Sequence, residues 1–267
     1  MNDSAVPRHD QRLRLGVTTS LKASDAVQQR AQQRATRWDL PFIERRKQGL
    51  SKVFDQVAAA LMFSADGVRI ATRDGQLRPS LSTAAIRLRH IAAGEGDPLI
   101  RAADLRSGDE VVDCTYGLGR DAVVAAHIVG PSGSITALEA SAALFYMANE
   151  NEPLSQFDGG IDAEPAPVTL VHGDARVWLN DPAADSADVV LIDPMFETPK
   201  SSDASFGLLR SLADDGSLDQ EWVDAAKRVA RRCVVVKTGR WEPWFDAVGL
   251  VEVHSWGNAR WYRADSS

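Results

Sequence analysis

Cysteine is scarce in this sequence, which contains only Cys114 and Cys233 among its 267 residues. Two cysteines exclude a disulfide framework and a cysteine-rich zinc site, because both need more thiol groups. No stretch approaches the roughly 18 uninterrupted apolar residues of a membrane span. The polar residues 1–16 also lack the apolar core of a signal peptide. We therefore expect a cytoplasmic protein without membrane spans and without a metal site.

Net positive charge is also absent, since the formal net charge is −7. The charges are unevenly distributed: residues 1–107 carry 18 Lys/Arg against 11 Asp/Glu, whereas residues 108–267 carry 12 against 26. Such asymmetry indicates a charged partner such as RNA, and it equally fits a basic appendage folded against an acidic domain. Arg45, Arg46 and Lys47 are correspondingly either phosphate contacts or a solvated face.

The first hundred residues mix strand and helix patterns without a repeat. Composition is that of a globular protein, 44% hydrophobic and 25% charged, and the length fits one domain with an appendage. Residues 50–62 are apolar at a spacing that fits either a helix or a strand. The other predicted elements are a strand at 13–20, a helix at 22–37, a strand at 67–73 and a helix at 82–93 capped by Ser82. These predict a basic α+β appendage over residues 1–107.

After Gly108 short apolar strands alternate with helices. The pattern predicts strands at 110–114, 134–138, 168–172, 188–192 and 233–237, helices at 120–129, 141–150, 174–180 and 219–231, and a final hairpin over 249–263. This alternation is typical of α/β proteins with a mostly parallel sheet covered on both faces. We therefore predict a Rossmann-like, doubly wound seven-strand sheet over residues 108–267, with its ligand beyond the carboxyl ends of the strands.

Glycines and an acid follow the first two strands of this domain. Gly117 and Gly119 lie in the first strand-to-helix turn, where they let the backbone approach a ligand, and the next helix presents free amide groups there. Glu139 ends the second strand, 20 residues after Gly119. A carboxylate at that position can accept hydrogen bonds from both hydroxyls of a ribose. The pattern indicates a nucleoside-containing cofactor.

Two further carboxylates favour S-adenosyl-L-methionine over NAD, although Gly117, Gly119 and Ala122 also fit the dinucleotide pattern. Asp113, at the tip of the first strand, would repel a pyrophosphate and attract the ammonium group of methionine. Asp174, after the third strand, lies where an adenine amino group would be expected.

The fourth strand ends in Asp193-Pro194-Met195-Phe196. Pro194 makes a rigid turn that directs backbone carbonyls into the cleft. Asp193 can accept a hydrogen bond from an amino group, and Phe196 can stack on a planar base. We expect these three residues, Asp193, Pro194 and Phe196, to align an amine for methylation, a reaction that depends mainly on alignment.

Four stretches resemble the RsmJ-type methyltransferases: DCTYGLGRDAV at 113–123, the Glu139-Ala140 step, GDAR at 173–176 and IDPMFE at 192–197. That family uses S-adenosyl-L-methionine to methylate a guanine N2 of small-subunit ribosomal RNA. The resemblance implies cofactor contacts from Arg120, Asp121, Glu139, Ala140, Asp174 and Asp193. VTTS at 17–20, IERRK at 43–47 and GDPLI at 96–100 are similar to a further branch of related methyltransferases.

The expected function is thus S-adenosyl-L-methionine-dependent methylation of an exocyclic amine, the guanine N2 of ribosomal RNA. The family named above carries a lysine-rich stretch after DPMF, where this chain has only Lys200 and Arg210 up to position 210. A small-molecule or protein acceptor with the appendage as a lid therefore stays open as an alternative. An inactive nucleotide-binding module and an NAD-dependent oxidoreductase are further alternatives.

Overall fold

The computed structural model describes residues 14–46, 48–151, 164–181, 187–194, 208, 211–212 and 217–266. The strands are β1 (Leu15–Thr19), β2 (Ala59–Ser64), β3 (Gly67–Thr72), β4 (Gln76–Leu77), β5 (Glu110–Asp113), β6 (Ser134–Glu139), β7 (Val168–His172), β8 (Ala187–Ile192), β9 (Ala230–Thr238), β10 (Val251–Trp256) and β11 (Ala259–Asp265). The α-helices are α1 (Asp25–Arg37), α2 (Leu50–Val53), α3 (Ser82–Ala92), α4 (Pro98–Ala103), α5 (Arg120–Val129), α6 (Ala142–Glu150), α7 (Ala175–Leu179) and α8 (Gln220–Val229), and a 3₁₀ helix spans Pro243–Val248.

The described residues form two compact units. The first comprises residues 14–79, residues 141–151 and the described residues near 210, and the second comprises the rest. Helices α3 and α4 both belong to the second unit, where they pack against α5. The boundary of independently folding domains at 107/108 stays a prediction.

The first unit contains a four-strand sheet in the order β1-β2-β3-β4. Strands β1 and β2 are parallel, and the remaining pairs are antiparallel. Helix α1 packs on β1 and β2, while α6 packs on β2 and β3. The ambiguous segment 50–62 divides into the short α2 and the start of β2, because Ala59–Phe63 pair with both β1 and β3.

The second unit contains a seven-strand sheet in the order β10-β11-β9-β8-β5-β6-β7. Strands β5 to β9 are mutually parallel, and β11 is antiparallel to both β9 and β10. The chain runs outward from β5 in one direction through β6 and β7, and in the other through β8 and β9. The predicted seven-strand α/β sheet is confirmed, and its topological switch point lies between β5 and β8, where such sheets bind ligands.

Helices cover both faces of the larger sheet. Helices α7 and α8 and the 3₁₀ helix bury the apolar residues of one face, and α3, α4 and α5 cover the other. Asp97, Asp174 and Asp219 each cap the helix that follows by accepting a backbone N–H. The predicted cap of α3 is wrong: Ser82 is the first residue of the helix, and Leu81 occupies the cap position without a side-chain hydrogen bond. Among the described residues, no helix has the length and apolar character needed to cross a bilayer.

Candidate functional site

The turn between β5 and α5 has a backbone that favours glycine at two positions. Gly117 (φ 55°) and Gly119 (φ 73°) both lie in the left-handed region, which strains residues with a Cβ. Gly119 is also the N-cap residue of α5, where no side chain caps the first turn. The first turn of α5 therefore directs N–H groups and the positive end of its dipole to the edge of the sheet.

Glu139, at the end of β6, is held against this turn. Its side chain is buried, and its Oε2 accepts a hydrogen bond from the Gly117 N–H at 2.9 Å. The Tyr116 N–H donates to the Leu138 carbonyl at 2.9 Å, so the turn and β6 are fixed to each other. The structure thus brings together the glycine turn and the acid predicted to bind a ribose.

Asp113 ends β5 and is buried, with 3% of its surface exposed. Its Oδ1 accepts a hydrogen bond from the Thr115 N–H at 3.0 Å. Burial raises the pKa of Asp113 to about 7, and the nearby carboxylates of Asp121 and Asp193 raise it further, whereas the Thr115 amide and the Lys237 ammonium oppose the rise. A buried carboxyl with carboxylate neighbours favours a cationic ligand group, because a cation stabilises its ionised form.

The remaining predicted cofactor contacts lie around the same edge. Asp174 caps α7 at the tip of β7, where its Oδ1 accepts from the Arg176 N–H at 2.8 Å. Ala140 is partly exposed immediately after β6. Arg120 begins α5, and its Nε donates to the Ser80 carbonyl at 3.4 Å. Its guanidinium is therefore oriented by the segment that precedes α3.

Asp193 follows β8 at the tip nearest to β5. Its N–H donates to Thr115 Oγ1 at 2.7 Å, which ties the ends of the two strands together. Its side chain is 29% exposed and forms an ion pair with Lys237. Pro194 follows Asp193, and the turn predicted there stays a prediction because the next residues lie outside the described ones. Phe196 lies outside the described residues, so its predicted stacking role stays a prediction.

Lys237 belongs to an ionic network that the sequence did not reveal. Besides pairing with Asp193, its Nζ lies 3.8 Å from Asp121 Oδ2. Asp121 also pairs with Arg87, whose Nε donates to Asp97 Oδ2 at 2.8 Å. Alternating charges therefore extend from the cap of α4 to the tip of β8.

The network separates the proton affinities of two neighbouring carboxyl groups. Burial raises the pKa of Asp193 to about 6, against the opposing effect of Lys237 and with reinforcement from Asp121. Burial also raises the pKa of Asp121, but Lys237 and Arg87 outweigh it and hold that pKa below its ordinary value. Asp121 is consequently ionised at neutral pH, whereas the pKa of Asp193, at about 6, is raised above the ordinary value of an aspartate.

The site as a whole fits a ligand that combines a ribose with a cationic group. The buried Glu139 and the glycine turn suit hydroxyl groups, and the buried Asp113 suits an ammonium. Across residues 43–255 the chain matches a family model described as "Putative SAM-dependent methyltransferase". The chain belongs to this family. Its cofactor is therefore S-adenosyl-L-methionine, which confirms the predicted methyltransferase over the NAD-dependent alternative.

The chain is also similar to curated proteins and to a solved structure. The methyltransferase is 30% identical over 241 residues to the Bacillus subtilis (strain 168) protein YpiP, covering 88% of this chain and 92% of that protein. It is 33% identical over 162 residues to ribosomal RNA small subunit methyltransferase J of Laribacter hongkongensis, covering 59% of this chain and 57% of that enzyme. In fold it resembles the S-adenosyl-L-methionine-dependent methyltransferase NGO1261 of Neisseria gonorrhoeae, with a TM-score of 0.58, 17% identity and coverage of 94% and 96% of the two chains.

Lys237, Arg87 and Thr115 are the site residues that sequence reasoning missed. Lys237 carried a usable signal, because it follows the apolar run CVVV just as Asp113 and Asp193 follow theirs. Arg87 carried none, since its pairing with Asp121 joins residues 34 positions apart on two different helices.

Proposed function

We propose that this methyltransferase methylates an exocyclic amino nitrogen of ribosomal RNA, the N2 of a guanine. The single observation that carries the proposal is the place of Asp193, whose carboxylate sits at the tip of β8 beside the glycine turn and the buried Asp113. A hydrogen-bond acceptor beside a methyl donor suits an amine, which must present its lone pair to the methyl carbon. The relative from Laribacter hongkongensis, named as a small-subunit ribosomal RNA methyltransferase, supports RNA as the acceptor.

The cofactor contacts proposed for the chain follow from the same geometry. We assign the ribose hydroxyls to Glu139, the methionine ammonium to Asp113 and the adenine amino group to Asp174. Gly117 and Gly119 allow close backbone approach, as their left-handed φ values permit. Further contacts are assigned to Arg120, Asp121, Ala140 and Asp193. When bound, S-adenosyl-L-methionine supplies an electrophilic methyl group.

In this proposal Asp193 accepts an N–H of the acceptor amine and so orients its lone pair. Pro194 holds the following turn, and Phe196 stacks on the base. We further propose that the reaction takes place in the cytoplasm. The basic residues of the N-terminal region would contact RNA phosphates, because the acidic residues 108–267 repel the backbone.

The deciding experiment uses small ribosomal subunits purified from a strain that lacks this gene and from its parent. Each is incubated with the purified methyltransferase and isotopically labelled S-adenosyl-L-methionine, and labelled nucleosides are identified and mapped by mass spectrometry. We expect labelled N2-methylguanosine at a defined position in subunits from the deletion strain and none in the parental subunits. Label on another base atom would contradict the guanine N2 assignment. Absence of label from all RNA would leave a protein or a small molecule as acceptor.

A matched pair of variants tests the assignment of Asp193. Asp193→Asn should lower turnover about 100-fold while the melting temperature changes little. Asp188→Asn is the control, because Asp188 begins the same strand at its opposite end and pairs with Arg231 at 3.0 Å. Equal turnover in the two variants would remove Asp193 from the acceptor site.

A further inference from the structure

Lys237 occupies a confined position at the end of β9. The preceding residues Val234, Val235 and Val236 are fully buried, so the strand holds the lysine backbone rigidly at the edge of the sheet. On the neighbouring β11, the ring centroid of Trp261 lies 5.8 Å from the Lys237 Nζ. The ammonium also forms ion pairs with the carboxylates of Asp193 and Asp121. These neighbours fix the ammonium between a ring and two carboxylates.

The surroundings of Lys237 differ from those of a structural ion pair, in which one cation neutralises one carboxylate. In the same unit, Arg232 satisfies the buried Asp109 through Nη1 at 2.9 Å, and this pair lies at the opposite edge of the sheet from the glycine turn. Lys237 instead faces two carboxylates, with the buried Asp113 nearby as a third. Clusters of underbalanced ionisable groups in a cleft are costly for folding and are typical of functional sites.

We propose that Lys237 is a positioning residue of the methyltransferase, whose ammonium fixes the Asp193 carboxylate and keeps it ionised toward the acceptor amine. This inference rests on the proposed function, since it takes Asp193 as the group that receives the acceptor N–H. Arg87 supports the arrangement from behind: by pairing with Asp121 it compensates the second carboxylate, so that the lysine remains engaged with Asp193. Lys237 itself acts through Asp193 and does not exchange a proton with the acceptor.

The transfer step balances with the groups named. The lone pair of the acceptor nitrogen forms a bond to the methyl carbon, and the carbon–sulfur bond breaks with its electron pair staying on sulfur. The nitrogen then carries a proton in excess. The ionised Asp193 carboxylate accepts that proton and releases it to water. A protonated Asp193 would accept the N–H more weakly, through its carbonyl oxygen only, and could not take the proton at the end.

A double-mutant cycle tests whether Lys237 acts through Asp193. Lys237→Met should lower kcat about 100-fold and change the KM for the acceptor and the Kd for S-adenosylhomocysteine by less than about threefold. Lys237→Arg should restore most of kcat. In an Asp193→Asn background, Lys237→Met should add almost nothing, because the group it positions is already gone. Lys227→Met is the control, since this half-buried lysine of α8 donates to the Val248 carbonyl at 3.0 Å and has no place in the proposed site.

Two outcomes of the cycle would overturn the proposal. The first is an equal loss of kcat in the wild-type and Asp193→Asn backgrounds. The second is a loss that follows the melting temperature, with Lys237→Arg as impaired as Lys237→Met. Either outcome would make Lys237 a stabilising residue. The acceptor used is whichever one the wild-type enzyme methylates, so a different acceptor does not disable the test.

A second readout needs no acceptor. Carboxyl groups that gain a proton show a distinct infrared band, and the Asp193 band is identified by its absence in Asp193→Asn. The charged groups near Asp193 are Asp113 on β5, Asp121 on α5, Arg87 on α3 and Lys237 on β9. Removing the lysine should shift the Asp193 titration to higher pH, because the cation that stabilises the ionised carboxylate is gone. An unchanged titration in Lys237→Met would overturn the proposal even if the RNA assignment proved correct, and a shifted one would support it even if that assignment failed.

Discussion

Two buried carboxylates show how the units of this molecule treat charge differently. In the first unit, Glu150 on α6 is 8% exposed and is paired with both Arg30 and Arg34 of α1. In the second unit, Asp113 is 3% exposed and accepts one backbone N–H, and the carboxylates of Asp121 and Asp193 lie near it, opposed by the Lys237 ammonium. The first arrangement joins two helices, whereas the second leaves a charge for a ligand to balance. Whether a buried carboxylate is paired with a cation therefore distinguishes a structural residue from a binding residue more clearly than its burial does.

The largest effect on stability should come from removing the two arginines that pair with Glu150. The double variant Arg30→Met/Arg34→Met keeps the apolar stems but leaves a buried carboxylate unpaired, so we expect the free energy of unfolding to fall by about 3 kcal/mol. Urea titration followed by fluorescence measures it. Arg37→Met, in the exposed last turn of α1, is the control and should change stability by less than about 0.5 kcal/mol. A neutral double variant would show that the pairs do not secure α1 to α6.

Loss of Glu139 should weaken cofactor binding rather than the stability of the fold. Glu139→Ala removes hydrogen bonds from ribose hydroxyls to a charged group, worth about 1.5–3 kcal/mol, which is on the order of 10- to 100-fold in Kd. Calorimetry with S-adenosylhomocysteine measures the change. Glu110→Ala is the control, because Glu110 is exposed at the opposite edge of the sheet. Wild-type affinity in Glu139→Ala would contradict the ribose assignment.

Asp113→Asn should raise the free energy of unfolding, whereas removing the partners of Glu150 lowers it. The pKa of Asp113 is raised to about 7, so the folded state binds more protons than the unfolded state between about pH 4 and pH 7. Wild-type stability is therefore lost as pH rises through that window, and Asn removes the loss. We expect a gain of about 1–2 kcal/mol at pH 8 with none at pH 3. We also expect Asp113→Asn to bind S-adenosylhomocysteine more weakly than wild type. A variant less stable than wild type at pH 8 would contradict the interpretation that the negative charge at this site is only partly balanced.

The smallest effect concerns the exposed basic residues of the first unit. Arg46 pairs with Glu44 at 2.9 Å, whereas Arg45 donates to backbone carbonyls, including that of Gln48 at 3.1 Å. Arg46 is thus the better phosphate contact. Arg46→Gln should make the slope of log affinity against log salt shallower by about 0.7 for a single-stranded ribosomal RNA fragment. Arg106→Gln, an exposed ion-paired arginine of the second unit, should leave the slope unchanged. A flat wild-type line would remove RNA as a partner of this region.

Most of the larger sheet was predictable because each strand is a short apolar run ended by a polar residue or glycine. Helix α5 begins and ends at the predicted residues, and the final hairpin turns at Gly257-Asn258 as expected. Segment 50–62 could not be assigned because its strand character depends on pairing with two distant strands. The grouping of α6 with the N-terminal sheet was equally hidden, since it depends on contacts such as the stacked rings of Trp38 and Tyr146, 4.2 Å apart.

The site was predictable where a residue immediately follows a strand, and not where partners come from elsewhere. The acids and glycines after β5, β6 and β8 were identified because spacing alone places them on one edge. Lys237 is the penultimate residue of β9, and a lysine does not fit the expected pattern of acids and glycines. Arg87 and Asp97 enter only through the packing of α3 and α4, which local sequence does not encode.

Helix α6 is synthesised well after the N-terminal sheet that it covers. The sheet β1-β2-β3-β4 is complete in sequence by Leu77, yet the helix that packs on β2 and β3 begins only at Ala142. At about 5–20 residues per second, a ribosome needs on the order of 3–13 s to add the intervening chain. During that interval β5, α5 and β6 are synthesised, and β5 and β6 can pair with each other. The nascent chain can therefore begin its C-terminal sheet before its N-terminal one is closed, and fragments ending near residue 79 should be prone to aggregation through the uncovered apolar face.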